Sequence, residues 1–256
     1  MGHTVFRNPP SVVDLEGDFT HRMLHTRGIR LHVAEAGDPS NPLLLLVHGA
    51  LGGWFDFKDV IAPLAGLDYH AAALDLRGYG MSDKPAPRAG DVMQILAGDI
   101  AGVVRTMGHR EARIIGADTG AVLAEAAQLR YPDLVRSVAA LPLSHGAAAA
   151  AGRLPSGALR SSGRGLDALL RANLCADTTE AFHGTERFEE ALRLRREAAR
   201  IDHALPHIAA VSRLRPLRWR GPWAAGGAPR SPFGPGKLPQ VEDPAAFVGG
   251  VEEHVP

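Results

Sequence analysis

Apolar and polar positions change period several times along this 256-residue chain, and each change marks an element. Residues 21–26 and 29–36 alternate on either side of Arg27-Gly28, which predicts a β-hairpin. Leu43-Leu44-Leu45-Leu46-Val47 is apolar without a break, the pattern of a strand buried on both faces. Residues 69–74, 112–115 and 134–141 predict further strands. Helical spacing predicts helices over 54–64, over 91–107 with Asp91 as N-cap, and over 119–131. Strands alternating with helices imply an α/β fold, with a mostly parallel sheet covered by helices on both faces. Ligands of such sheets bind beyond the carboxyl ends of the strands, where His48, Asp75 and Asp118 all fall.

Outside these elements the pattern weakens. Residues 1–19 read as an irregular arm, and 147–165 are small, polar and glycine-rich. Residues 186–201 predict a strong helix carrying charges of both signs. Residues 213–244 hold seven prolines and five glycines with almost no apolar period, a composition that resists regular structure. Only 245–255 regains a helical pattern. The chain therefore divides into a core at 1–141, an intervening region at 142–212 and an irregular tail at 213–256.

Composition narrows the function. The hydrophobic share of 45% is that of a globular protein, and the length suits one domain, with room for an inserted subdomain. The formal net charge is zero, which removes an electrostatic case for nucleic acid or an anionic membrane as partner. The single cysteine, Cys175, allows no internal disulfide and reads as a packing residue. Residues 1–7 have no apolar targeting segment, and no run reaches membrane-spanning length, so a cytoplasmic location is expected. No pattern calls for a metal or a cofactor.

The chemistry concentrates at Ile114-Ile115-Gly116-Ala117-Asp118-Thr119-Gly120. A short apolar run enters a turn with small residues two before and two after an acid, and an alanine-rich helical run leaves it. That is the layout of a nucleophile elbow, in which a strained turn exposes the central side chain above a sheet. Here the central residue is Asp118. A carboxylate nucleophile forms an alkyl ester and suits attack at the carbon of an epoxide or halide. The alternative role is a helix N-cap. Upstream, His48-Gly49-Ala50-Leu51-Gly52-Gly53 forms a turn whose backbone N–H groups suit an oxyanion.

Together with Asp75-Leu76-Arg77-Gly78-Tyr79-Gly80-Met81-Ser82-Asp83-Lys84-Pro85, these motifs resemble the α/β-hydrolase superfamily, in its epoxide hydrolase and haloalkane dehalogenase branch. The resemblance covers about residues 20 to 145. It implies an α/β-hydrolase fold with a helical lid in region 142–212. It also implies Asp118 as nucleophile on a small-molecule substrate, and the amides of Ala50 and Thr119 as oxyanion donors. His48, Gly49 and Trp54 join the candidate oxyanion and substrate-binding set, although Trp54 also reads as a core aromatic.

The family further requires a water-activating histidine and an acid that orients it, both late in the chain. His254 is the only histidine in the tail and so the candidate by order, while a solvated terminal histidine is its simpler reading. Asp243 is the late acid by order, with turn chemistry as its simpler role. His203 and His207 read as surface or lid residues. The branch's lid tyrosines have no counterpart, because Tyr69, Tyr79 and Tyr131 all precede the lid region. Thr119 stands where dehalogenases carry tryptophan, and Ala117 where the group usually carries histidine. The last strands of the family's sheet are expected to be missing or degraded, and an inactive ligand- or partner-binding protein is the second reading. Ser144 and Ser212 lack elbow context, which sets a serine esterase last.

Overall fold

The predicted hairpin forms. Strands β1 (Thr20–Thr26) and β2 (Ile29–Ala36) pair antiparallel around Arg27-Gly28. Both turn residues have positive φ, 50° and 77°, as a two-residue hairpin turn of matching twist requires. The computed structural model describes residues 7–86, 91–142, 163–214 and 232–255. Four further strands complete a sheet in the order β1-β2-β4-β3-β5-β6. They are β3 (Leu43–Val47), β4 (His70–Leu74), β5 (Ala112–Gly116) and β6 (Val135–Ala140). β2 meets β4 antiparallel, and the pairs β4–β3, β3–β5 and β5–β6 are all parallel.

Every residue of β3 and β4 is buried, so both faces of the sheet are covered there. Helix α1 (Ile61–Ala65) packs against β2 and β4, while α2 (Val92–Thr106) packs on β1 and on α3 (Thr119–Arg130). Asp91 caps α2 as predicted, its side chain accepting from the Gln94 amide at 3.2 Å. The segment 54–64 is not one helix. It divides into a 3-10 turn, Trp54–Phe57, in which the Asp56 carboxylate is drawn inward to an ion pair, and α1. β6 ends the sheet. Its residues 137–140 are only half-buried, and no described strand pairs with its outer side. The family's later strands are thus absent among the described residues.

After β6 the chain is helical: α4 (Gly163–Asp177), α5 (Glu186–Ala199), α6 (Ala204–Val211), α7 (Pro239–Glu242) and α8 (Pro244–His254). The glycine-rich stretch at 147–162 lies outside the described residues. Two expectations need correction. The arm at 1–19 is tied down where it is described: Asn8 donates to the Arg200 carbonyl at 3.1 Å, and Val13 is fully buried in a 3-10 turn, Pro10–Val13, packed on α5. The tail at 213–256 is not uniformly irregular. Pro244 sits in the first turn of α8, Asp243 caps it through the Ala246 amide at 3.0 Å, and Phe247 and Val251, four apart, are fully buried. These two residues form the buried face of the last helix.

Candidate active site

The elbow is built as its sequence implies. β5 ends at Gly116, α3 begins at Thr119, and Asp118 lies between them at φ 50°, ψ −124°. An L-residue there is strained by about 1–3 kcal/mol. Its neighbours enforce the turn. A Cβ on Gly116 would lie 2.4 Å from the Ala121 Cα, and one on Gly120 would lie 2.3 Å from the Val47 carbonyl oxygen. Only glycine lets strand and helix approach so closely. Asp118 occupies the N-cap position but makes no capping hydrogen bond, so capping does not explain the acid. It is 8% exposed.

Gly49 faces it. A Cβ there would stand 2.8 Å from the Asp118 Cβ and 3.0 Å from its Oδ2, which puts the backbone of the turn against the carboxylate. Four contacts hold this turn. The Gly52 amide donates to the Gly49 carbonyl at 3.2 Å, and the Tyr79 hydroxyl to the Ala50 carbonyl at 3.1 Å. His48 supplies the other two, its Nδ1–H donating to the Gly49 carbonyl at 2.7 Å and its Nε2 accepting from the Leu76 amide at 3.2 Å. Burial pushes the His48 pKa down against the pull of Asp75, so the ring is neutral in the tautomer these bonds need. Among the described residues, neither the Ala50 nor the Thr119 amide finds a backbone acceptor. The Thr119 hydroxyl is buried and also lacks a partner. Thr119 directly follows Asp118, and Ala50 directly follows Gly49, whose backbone stands against the carboxylate.

Two of the candidate residues serve the scaffold instead. His48 spends both ring nitrogens on backbone and braces the turn; it has none left for substrate. Trp54 is fully buried. Its Nε1–H donates to the Val13 carbonyl at 3.0 Å, and its ring meets Phe19, His21 and His32 edge-on. The core reading of Trp54 is the one that fits.

Asp75 braces the neighbouring loop. Its carboxylate accepts from the Trp54 amide at 3.2 Å, the Met81 amide at 3.0 Å and His32 Nδ1 at 2.9 Å. His32 Nε2 meets His21 Nδ1 at 2.8 Å, and His21 Nε2 reaches the Leu15 carbonyl at 2.8 Å. Burial would raise the Asp75 carboxyl, but the His32 hydrogen bond and the nearby histidine charges hold it below its usual range. Gly80, at φ 42°, leaves the space this carboxylate fills: a Cβ would lie 2.1 Å from Oδ2.

His254 is not brought to Asp118. Its Nδ1 contacts the Gly250 carbonyl at 3.1 Å within its own helix, and nearly half of its side chain is exposed. The adjacent Val255 carbonyl accepts from the Tyr69 hydroxyl at 2.7 Å. Tyr69 precedes β4, at the edge where the parallel strands begin, whereas Asp118 lies beyond the edge where β5 ends. Strands at about 3.3 Å per residue keep those edges roughly 15 Å apart. Asp243 serves as a cap, and His203 is exposed. His207 is buried, with its Nε2–H donating to the Pro85 carbonyl at 2.9 Å.

Sequence reasoning missed two supports. Tyr79, read only as a tyrosine in the wrong place for a lid, clamps Ala50; its position inside the Asp75 loop motif is the signal that was available. Arg195 of α5 reaches Asp56 with 3.1 Å contacts to both carboxylate oxygens, and both side chains are almost fully buried. The pair spans 139 residues and leaves no local signature. With His207, it seats α5 and α6 against the loops at the carboxyl edge of the sheet.

Comparison with known proteins agrees with this geometry. The pattern of the family described as alpha/beta hydrolase fold matches residues 42–192. Epoxide hydrolase A of Mycobacterium tuberculosis is 40% identical over 123 residues, which is 48% of this chain and 38% of that protein. Mouse (Mus musculus) epoxide hydrolase 4 is 30% identical over 140 residues, 54% of this chain and 39% of that protein. The chain thus spans about two fifths of the length of these relatives. The solved structure of the epoxide hydrolase CorEH without ligand superposes with a TM-score of 0.64 at 24% identity, covering 76% of this chain and 72% of that one. At that identity the likeness speaks for the fold.

Proposed function

We propose that this chain, which belongs to the α/β-hydrolase fold family and is epoxide hydrolase-like, uses Asp118 as a nucleophile toward a small apolar epoxide or alkyl halide. The observation that carries the reading is the strained Asp118 backbone, held against the Gly49 turn by glycines that tolerate no side chain. A carboxylate oxygen attacks the electrophilic carbon. The carbon–oxygen ester bond forms as the ring carbon–oxygen bond or the carbon–halogen bond breaks. The Ala50 and Thr119 amides then suit the oxyanion that appears when water adds to the ester carbonyl.

Attack needs the carboxylate and, for an epoxide, a proton from solvent for the alkoxide that leaves, whereas release needs an activated water. His254 is fastened at the far edge of the sheet, and this favours an ester that accumulates. Incubation with a reactive aryl epoxide followed by mass spectrometry of digests tests the reading. The expected result is one equivalent of adduct on the peptide holding Asp118, abolished in Asp118→Asn. No adduct and no turnover would leave the inactive ligand-binding reading. Rapid multiple turnover without a trapped ester would mean that a base acts from residues not assigned here.

A further inference from the structure

A second site lies away from the elbow. A cavity of about 370 Å³ opens between the β1–β2 turn, α2 and α6. Neither Asp118 nor Gly49 lines it. Its walls are largely apolar, with Ile29, Val92, Ile95 and Val211 among them, while Arg27 and Arg77 supply charge. The size is that of a small-molecule site.

The charges are unevenly matched. Arg77 holds Asp99 in a bidentate pair at 2.6 and 2.8 Å, and Asp99 is almost fully buried. Arg27 approaches the same carboxylate only at 3.5 Å and makes no hydrogen bond to a described residue, with nearly half of its side chain exposed. Among the described residues, two guanidinium groups therefore share one carboxylate, leaving one positive charge in excess at the cavity wall. Lys84 does not line the cavity; its Nζ is spent on the Gly80 and Ser82 carbonyls at 2.6 and 2.8 Å. Asp83, the other nearby acid, is paired with Arg30 at 2.9 Å.

The position of Arg27 is constructed. Its side chain lies across α2 over Gly98 and Gly102. A Cβ on Gly98 would stand 2.9 Å from the Arg27 Cζ, and one on Gly102 would stand 2.3 Å from Thr26 Oγ1 and 3.3 Å from the Arg27 Cδ. Glycine within a helix costs about 1 kcal/mol relative to alanine. Here two of them, four apart, clear a track that ends with a guanidinium at the cavity.

We infer that this cavity binds a small monocarboxylic acid with an apolar body, such as an arylalkanoic or medium-chain acid. The carboxylate takes the fork of Arg27, and the hydrocarbon lies along Ile29, Val92, Ile95 and Val211. One excess charge matches one carboxylate, and the apolar walls disfavour small inorganic anions. The site stands independently of the elbow chemistry.

Calorimetric titration of the full chain with 4-phenylbutyrate, and with its uncharged primary amide, tests the inference. The acid is expected to bind one to one. Arg27→Gln and the amide should each weaken binding by at least about tenfold, the value of a charge-assisted hydrogen bond. Ile95→Trp, which fills the cavity and leaves the charges in place, should abolish it. Asp118→Asn should leave it unchanged. Absence of binding to the acid, equal affinity for acid and amide, or loss of binding in Asp118→Asn would each overturn the proposal.

Discussion

The sheet with its elbow and the helical region after β6 are held together by different means. In the first, burial is continuous and local: β3 and β4 are buried at every residue, and the glycines flanking Asp118 leave no room for a side chain in the turn. In the second, helices that bury apolar side chains such as Leu170, Leu174, Phe188 and Leu192 are also joined to distant parts of the chain by single long-range ties. Arg195 meets Asp56, Asn8 meets Arg200, Tyr69 meets Val255, and the Asp177 carbonyl accepts from the Lys237 amide at 2.7 Å. A dense apolar layer announces itself in a sequence; an isolated tie between distant residues does not. The first region should thus lose everything when its packing is violated, and the second should come apart one tie at a time.

The largest effect belongs to Gly120→Val. Its Cβ would overlap the Val47 carbonyl oxygen, which lies only 2.3 Å away, and the His48 carbonyl oxygen at 2.6 Å. Backbone cannot give way as a flexible side chain can. We expect a loss above about 4 kcal/mol, in the range reserved for named structural violations. Circular dichroism with urea titration reads it, and a variant folding with an unchanged midpoint would mean that β3 and α3 are not packed as described.

Next comes Arg195→Ala, aimed at the joint between the two regions. It strands Asp56, which is 5% exposed. Removing one partner of a buried ion pair costs about 3–5 kcal/mol, whereas replacing both with apolar residues is often neutral. The double variant Asp56→Leu/Arg195→Met should therefore recover most of the loss. If it does not, the pair does more than hold α5 in place.

This contrast also accounts for what was legible beforehand. The hairpin, β3, the Asp91 cap and the elbow glycines follow from periodicity and turn chemistry acting within a few residues, and the structure has them where the pattern puts them. His48 and Trp54 were assigned to the site because they flank it in sequence. A motif fixes where a residue stands but not which way its ring turns, and both rings turn inward to brace backbone. The arm lacked periodicity because it is held by one buried valine and a few backbone bonds rather than by an amphipathic face. In the tail, the helical pattern of 245–255 was legible despite the prolines and glycines before it, and Phe247 and Val251 form its buried face.

A smaller effect concerns pH. Burial lowers the His48 pKa, so the folded ring stays neutral while the unfolded one titrates near 6.5. Its contribution is complete above that value and is lost as pH falls below it, at up to about 1.4 kcal/mol per pH unit. His207 shifts the same way and adds to the slope. Asp75 acts only lower down: held below its usual value of 3.8, it loses its contribution in strong acid. Urea midpoints between pH 7.5 and 5.5 should fall, and His48→Gln should fall less steeply. An identical slope in the variant would show that His48 takes up a proton without opening the turn.

The smallest effect separates the two regions most cleanly. Asp91 and Asp243 perform the same task, each accepting from the amide three residues on, at 3.2 and 3.0 Å. Loss of such a cap costs about 1 kcal/mol. In α2, buried from Leu96 to Val104 and packed on α3, that loss should lower global stability and shift the urea midpoint. In α8, which packs on α7 and Phe233 and buries Phe247 and Val251 but lies outside the sheet, the same loss should appear as local opening, because peripheral elements exchange without global unfolding. Asp91→Ala should therefore move the midpoint. Asp243→Ala should leave it nearly in place while amide exchange in residues 246–254 accelerates about fivefold, the rate equivalent of that energy. If Asp243→Ala shifts the midpoint as much as Asp91→Ala does, α8 unfolds with the sheet, and the second region is as cooperative as the first.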